Sequence, residues 1–116
     1  MPHLILEYSA NVIEPDFSAL FKECHALLAN RLPTQITSCK SRAIKCENYH
    51  VGMGDIHNGF IHVTLKIMPG RTLEVLQATG QALLELVKKY FSKSLQDLQL
   101  EISLEFNEIQ QPYFKI

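Results

Sequence analysis

Apolar and polar residues alternate along this chain with two different periods. "HLILEY" at 3–8 alternates every second residue, the pattern of a half-buried strand. "NVIEPD" follows, and its Pro15 and Asp16 are helix-start signals. Phe17, Leu20, Phe21, Cys24, Leu27 and Leu28 then recur at three- and four-residue spacing, which predicts an amphipathic helix over 16–31 that Pro33 stops. "ITSCKSRAIKC" at 36–46 has the alternation and β-branched content of a strand, with Lys40, Arg42 and Ile44 on one face.

"ENYHVGMGDIHNG" is polar and glycine-rich and reads as a loop or short hairpin placed to cover a site, with Asn58-Gly59 as a tight turn. Its Gly52-Met53-Gly54 lacks the lysine and helix start of a phosphate loop. "FIHVTLKI" at 60–67 predicts a strand, and Thr72 is placed to cap a second helix, "LEVLQATGQALLELVKKYF". Leu73, Leu76, Gly80, Leu83, Leu84, Val87 and Phe91 form its apolar stripe, in which Gly80 permits close approach of a neighbour. "LQLEISLEF" alternates strictly, with Leu98, Leu100, Ile102, Leu104 and Phe106 expected to face inward.

The two halves repeat. Sliding the chain by 59 residues sets "HLILEY" on "HVTLKI", the first helix on the second, and "KSRAIKCE" on "QLEISLEF". Each half, about 2–47 and 60–106, is therefore a β-α-β unit within one domain spanning 1–116. A helical crossover returns the chain parallel to its first strand. The expected fold is α/β (α+β): a four-stranded mixed sheet with two helices on one face. The other face needs a cover, and in 116 residues with 47% apolar content the cheapest one is another copy of the same chain.

Charge and cysteine content narrow the function. A formal net charge of −1 gives no basic footprint for nucleic acid. The three cysteines, Cys24, Cys39 and Cys46, lack disulfide or zinc spacing and read as reduced thiols, which points to the cytoplasm. No run of apolar residues is long enough for a signal peptide or a membrane span. His50 and His57 have no accompanying carboxylate or cysteine pattern, so no metal is expected. His3 and His62 fall at matching repeat positions and read as structural, and Tyr49 as a packed aromatic.

One position invites chemistry. Pro2 opens the first strand without an amide hydrogen for a ladder. Removal of Met1 would turn it into a terminal secondary amine, a candidate general base. Cationic residues gather around it in the duplicated plan: Lys40 and Arg42 on the second strand, and Arg71 before the second helix, where the macrodipole disfavours a cation and a ligand would explain one.

These features are similar to the tautomerase superfamily, and "MPHLILEYS", "KSR" and "FIHVTLKIMPGRTLEVLQATGQALLEL" most resemble the 5-carboxymethyl-2-hydroxymuconate isomerase family, over residues 2 to about 106. The resemblance implies a cofactor-free isomerase of homoprotocatechuate breakdown, assembled as a homotrimer with sites near subunit boundaries. It implies a dienol substrate with three carboxylates, Pro2 as catalytic base, and Lys40, Arg42 and Arg71 as carboxylate binders. Lys40 stands where the family pattern has arginine, losing the bidentate fork. That departure keeps open a tautomerase of a smaller 2-oxo acid, and the fold alone keeps open a catalytically silent trimeric binding protein.

Overall fold

The computed structural model describes residues 2–116. The chain forms β1 (His3–Ser9), α1 (Phe17–Arg31), a 3₁₀ turn (Ile36–Ser38), β2 (Lys40–Cys46), β3 (Asn58–Ile67), α2 (Leu73–Tyr90), α3 (Ser92–Asp97) and β4 (Gln99–Glu108). The sheet order is β2-β1-β3-β4, with β1 parallel to β2, β3 parallel to β4, and the two pairs joined antiparallel at β1 and β3. This is the expected mixed sheet of two β-α-β units. The repeat holds to the residue at the second strands, since β2 begins at Lys40 and β4 at Gln99, 59 positions apart.

Both helices cover one face. Leu4, Leu6 and Tyr8 of β1 and Ile61, Val63, Leu65 and Ile67 of β3 share one buried cluster with Leu20, Cys24 and Leu28 of α1 and Leu83 and Val87 of α2. Period-two burial on the strands meets the helical stripes there, and removing this apolar area from water is the main stabilising term. The two long helices α1 and α2 each start at a side-chain cap: Asp16 Oδ1 accepts from the Ala19 amide, and Thr72 Oγ1 from the Val75 amide.

Three local expectations are corrected. Residues 36–38 form a 3₁₀ turn, so β2 starts only at Lys40. The β-branched Ile36 and Thr37 imitate a strand, but the backbone closes on itself through Ser38 N–H to Gln35 O and Cys39 N–H to Ile36 O. Asn58-Gly59 is the beginning of β3, and β2 and β3 are not neighbours in the sheet, so no hairpin joins them. Gly59 serves close approach instead: a Cβ there would sit 3.0 Å from Ser9 Oγ and 3.1 Å from Asn11 Oδ1, and Asn11 Nδ2 donates to Asn58 O at 2.9 Å.

The loop before β3 follows Cys46, which pairs with Ser9, so within one protomer it lies at the far end of β1 from Pro2. Leu73 is 70% exposed, and Thr79 occupies the core beside Leu83 and Val87. Leu73 instead borders a groove of about 830 Å³ between α2 and β4, with Leu76, Leu104 and Phe106. That groove leaves the inward side chains of Leu104 and Phe106 on β4 only partly buried. Farther along α2, Gly80 brings the helix close to Phe106, whose ring would lie 3.2 Å from an added Cβ.

Candidate active site

Pro2 is buried at the mouth of β1, and its carbonyl accepts from the Lys40 amide at 3.0 Å, which fixes the strand start against the start of β2. The antiparallel register sets His3 opposite Lys66, so one further step brings Pro2 level with Ile67, the last residue of β3, after which Met68–Thr72 turn into α2. The start of β1, the start of β2, the end of β3 and the head of α2 therefore meet at one end of the sheet. The expected removal of Met1 concerns a residue outside those described.

The candidate cations share this end and divide between the two faces. Lys40 and Arg42 pair in register with His3 and Ile5, which places them on the face away from the helices. Arg42 Nη1 lies 3.4 Å from His3 Nδ1, and Lys40 Nζ donates to Ser38 O at 3.4 Å. Burial, followed by the charges of Arg42 and Lys40, holds the His3 imidazole below its ordinary value. Lys66 adds a further cation opposite His3 on the same face. Glu7 and Glu101 lie farther along, opposite His62 and Phe60. His62 is held by Ser103 Oγ at Nδ1 and Glu105 Oε1 at Nε2, both at 2.7 Å. The open face is thus cationic at the Pro2 end and acidic farther along.

Arg71 lies on the helix side. Its Nη1 donates to Met68 O at 2.9 Å and its Nη2 to Leu32 O at 3.0 Å. Those carbonyls answer part of the question its position raised, because they offset a cation placed just before the Thr72 cap. They also tie the end of α1 to the β3–α2 turn. Beside them opens a cleft of about 570 Å³, lined by Arg31, Pro33, Gly70, Arg71, Thr72 and Val75 among others. The remaining N–H groups of the Arg71 fork are available to an anion there. Within one protomer, then, Pro2 and Arg71 share an end with Lys40 and Arg42, but the four do not line one pocket.

Among the described residues no cluster of three or more His, Cys, Asp or Glu is arranged to hold a metal ion. His57 is instead bonded to Asp55, with Nδ1 at 3.3 Å from Oδ1. The Cys24 thiol, buried in the core, is pushed up to about 12 by desolvation and is unsuited to nucleophilic work. Among the described residues no helix is long and apolar enough to cross a membrane.

The profile of the family described as 5-carboxymethyl-2-hydroxymuconate isomerase matches residues 2–115. The chain belongs to this family. It is an isomerase, and it is 33% identical over 110 residues to the 5-carboxymethyl-2-hydroxymuconate Delta-isomerase of Escherichia coli, covering 94% of this chain and 87% of that one. The fold superimposes on a 5-carboxymethyl-2-hydroxymuconate isomerase of Deinococcus radiodurans R1 with a TM-score of 0.90 and 28% identity, over 99% of this chain and 88% of the other. A more distant structure, a fused 4-OT wild type symmetric trimer, matches at a TM-score of 0.68 and 16% identity, over 91% of this chain and 85% of that one, and shares the fold alone. The isomerase match extends beyond residue 106, past the last residue whose resemblance is visible by inspection.

Proposed function

We propose that this isomerase converts 5-carboxymethyl-2-hydroxymuconate, or a dienol of that class, to its conjugated 2-oxo isomer, with the amine of Pro2 as general base and no cofactor. The observation that carries the reading is the buried Pro2 at a sheet end supplied with cations from both faces: Arg71 on the helix side, Lys40 and Arg42 on the other. The amine takes the enol proton and returns it to a distant carbon of the conjugated system, so the net change is a shift of one hydrogen. A base that gives back what it takes works best with a pKa near the working pH. Burial and neighbouring cations both disfavour an ammonium and would lower the amine into that range. Charge grows on the 2-oxo oxygen and its carboxylate as the proton leaves, and fixed cations stabilise it.

The same reading assembles the chain as a homotrimer. The uncovered sheet face bears the half-buried Ile5 and the exposed Ile44, together with Arg42 and Lys40, and trimerisation would bring these cations of one subunit toward the Arg71 cleft of another. The symmetric trimer among its structural neighbours supports this assembly. The cytoplasm suits its unpaired cysteines.

An ultraviolet assay tests the substrate assignment: the carboxymethyl-substituted dienol should be ketonised with a much higher kcat/KM than the enol of a smaller 2-oxo acid. The reverse preference would transfer the assignment to the smaller acid, the outcome expected if Lys40 fails to engage a third carboxylate. Light scattering at micromolar concentration should give three times the chain mass, and a stable monomer would contradict the assembly.

A further inference from the structure

The cleft between α1 and α2 holds a second guanidinium that neither the repeat nor the family resemblance singled out. Arg31 is the last residue of α1, and the next residue, Leu32, supplies the carbonyl that Arg71 Nη2 binds at 3.0 Å. The Arg71 bond therefore fixes the backbone one residue away from Arg31. Gly70, at φ 120°, bends the chain between Pro69 and Arg71 in a conformation that other residues rarely adopt, and an added Cβ there would touch nothing within 4 Å. The opposite wall is thus kept open.

A cation in the last turn of α1 suits that helix dipole wherever its side chain points. Three observations go further. Arg31 lines the cleft of about 570 Å³ together with Arg71, and no Asp or Glu is among the lining residues. Its side chain makes no hydrogen bond or ion pair among the described residues, unlike those of Arg42 and Arg71. The head of α2, an 18-residue helix capped at Thr72, opens on the same cleft and adds its partial positive charge. Two guanidinium groups and a helix head facing one cavity without a carboxylate form a surface whose natural complement is an anion, and the planar fork of arginine matches a carboxylate.

We infer that Arg31 and Arg71 together form a carboxylate subsite in the α1–α2 cleft, with Arg31 as a further substrate-positioning residue. This rests on the proposed function, which supplies a substrate with several carboxylates and places the reacting proton at Pro2, at the same end of the sheet. Arg71 is held by backbone carbonyls and provides the fixed half of the subsite. Arg31, exposed and unpaired, provides the half that closes on the ligand.

The test uses the full chain, two Arg31 variants and one control. Arg31→Gln should raise KM for the carboxymethyl dienol about tenfold, the scale of one charge-assisted hydrogen bond, and should leave the acid-side ionisation of kcat in place. Arg31→Lys should recover part of the loss. Lys89→Gln, an exposed change in the last turn of α2, should do nothing to KM. Binding is read independently of turnover by titrating the saturated dicarboxylate adipate while following the amide resonances of Gly70, Thr72 and Leu73. These should move and saturate in the unmodified chain and require about tenfold more adipate in Arg31→Gln. If no form turns over the dienol while the adipate difference persists, the isomerase assignment fails and the anion cleft stands. An unchanged KM together with unchanged adipate titration in Arg31→Gln overturns the inference.

Discussion

The two faces of the sheet are built from alternate residues of the same strands and have opposite characters. On β1, Leu4, Leu6 and Tyr8 point into the helices and are almost wholly buried, while His3, Ile5 and Glu7 point away and stay half-exposed. On β3 the same split separates Ile61, Val63 and Leu65 from Phe60, His62 and Thr64. The covered face is apolar, and over β1 and β3 it is buried within one chain. The other mixes apolar residues with a cationic end and an acidic stretch, which suits a surface that another copy covers and that lends charge to a site. The lesson is that alternation along a strand divides labour: one set of positions holds the protomer together, and the other is free to serve assembly and chemistry.

The largest effect expected from this division is on folding. Leu6→Ala should lower stability by about 2–5 kcal/mol, the cost of a core cavity, in denaturant unfolding at any protein concentration. Its neighbour Ile5→Ala, on the other face, should act chiefly on the proposed assembly, raising the concentration at which light scattering detects a trimer. Equal behaviour of the two variants would erase the distinction between the faces.

Next in size is the charge at the sheet end. Arg71→Ala should reduce kcat/KM by about 1.5–3 kcal/mol of transition-state stabilisation, the scale of a hydrogen bond to a charged group. Unchanged steady-state kinetics would confine Arg71 to its backbone bonds with Met68 and Leu32.

The smallest effect compares a histidine from each face. His25, bonded to Ser41 at 2.7 Å on the covered side, is held below the ordinary 6.5 by burial alone. His3, on the open side, is lowered by burial first and then by Arg42 and Lys40. In both cases the unfolded chain binds the proton more readily than the folded one. Their contribution to stability is therefore complete at neutral pH and is lost as pH falls through 6.5 toward the lowered folded value. Added salt screens charges but not burial, so a nuclear magnetic resonance titration should show His3 moving up toward its ordinary value in high salt and His25 staying in place. Identical salt responses would mean that the cations near His3 do not act on it.

The parts of the fold that could be read from the sequence are those where periodicity and burial agree. The repeat, both helices, their caps at Asp16 and Thr72, and the shared face of Lys40, Arg42 and Ile44 all follow from spacing. Ile36-Thr37 misled because β-branched residues favour strands but do not decide how the backbone closes. Asn58-Gly59 misled because glycine there serves close approach to Ser9 and Asn11, a need invisible without the neighbouring strand. Leu73 misled because a stripe does not reveal that the groove beside it stays open. The short helix α3 has no full apolar repeat to announce it.

The candidate site was legible in part. Pro2, Lys40, Arg42 and Arg71 could be chosen by residue type and position, yet their division between two faces depends on register. Arg31 gave only one sign in the sequence, a cation one residue before the Leu32-Pro33 stop of α1. Its place opposite Arg71 comes from the antiparallel arrangement of the two units, which brings the end of α1 beside the head of α2.

The central claim is that the nitrogen of Pro2 is the base, and it is tested most directly by comparing three forms of the chain: processed to begin at Pro2, blocked by a retained Met1, and processed with Pro2→Ala. Turnover of the dienol and far-ultraviolet circular dichroism are measured on each, with intact mass confirming the terminus. The processed chain should be active, with a rate that rises through one ionisation on the acid side. The blocked chain should keep its fold and lose most activity, because an amide nitrogen cannot take the proton, and the alanine form, with an amine but no ring, should fall between them. Equal turnover by the folded, Met1-blocked chain would contradict the account and leave Pro2 as no more than the first residue of the strand.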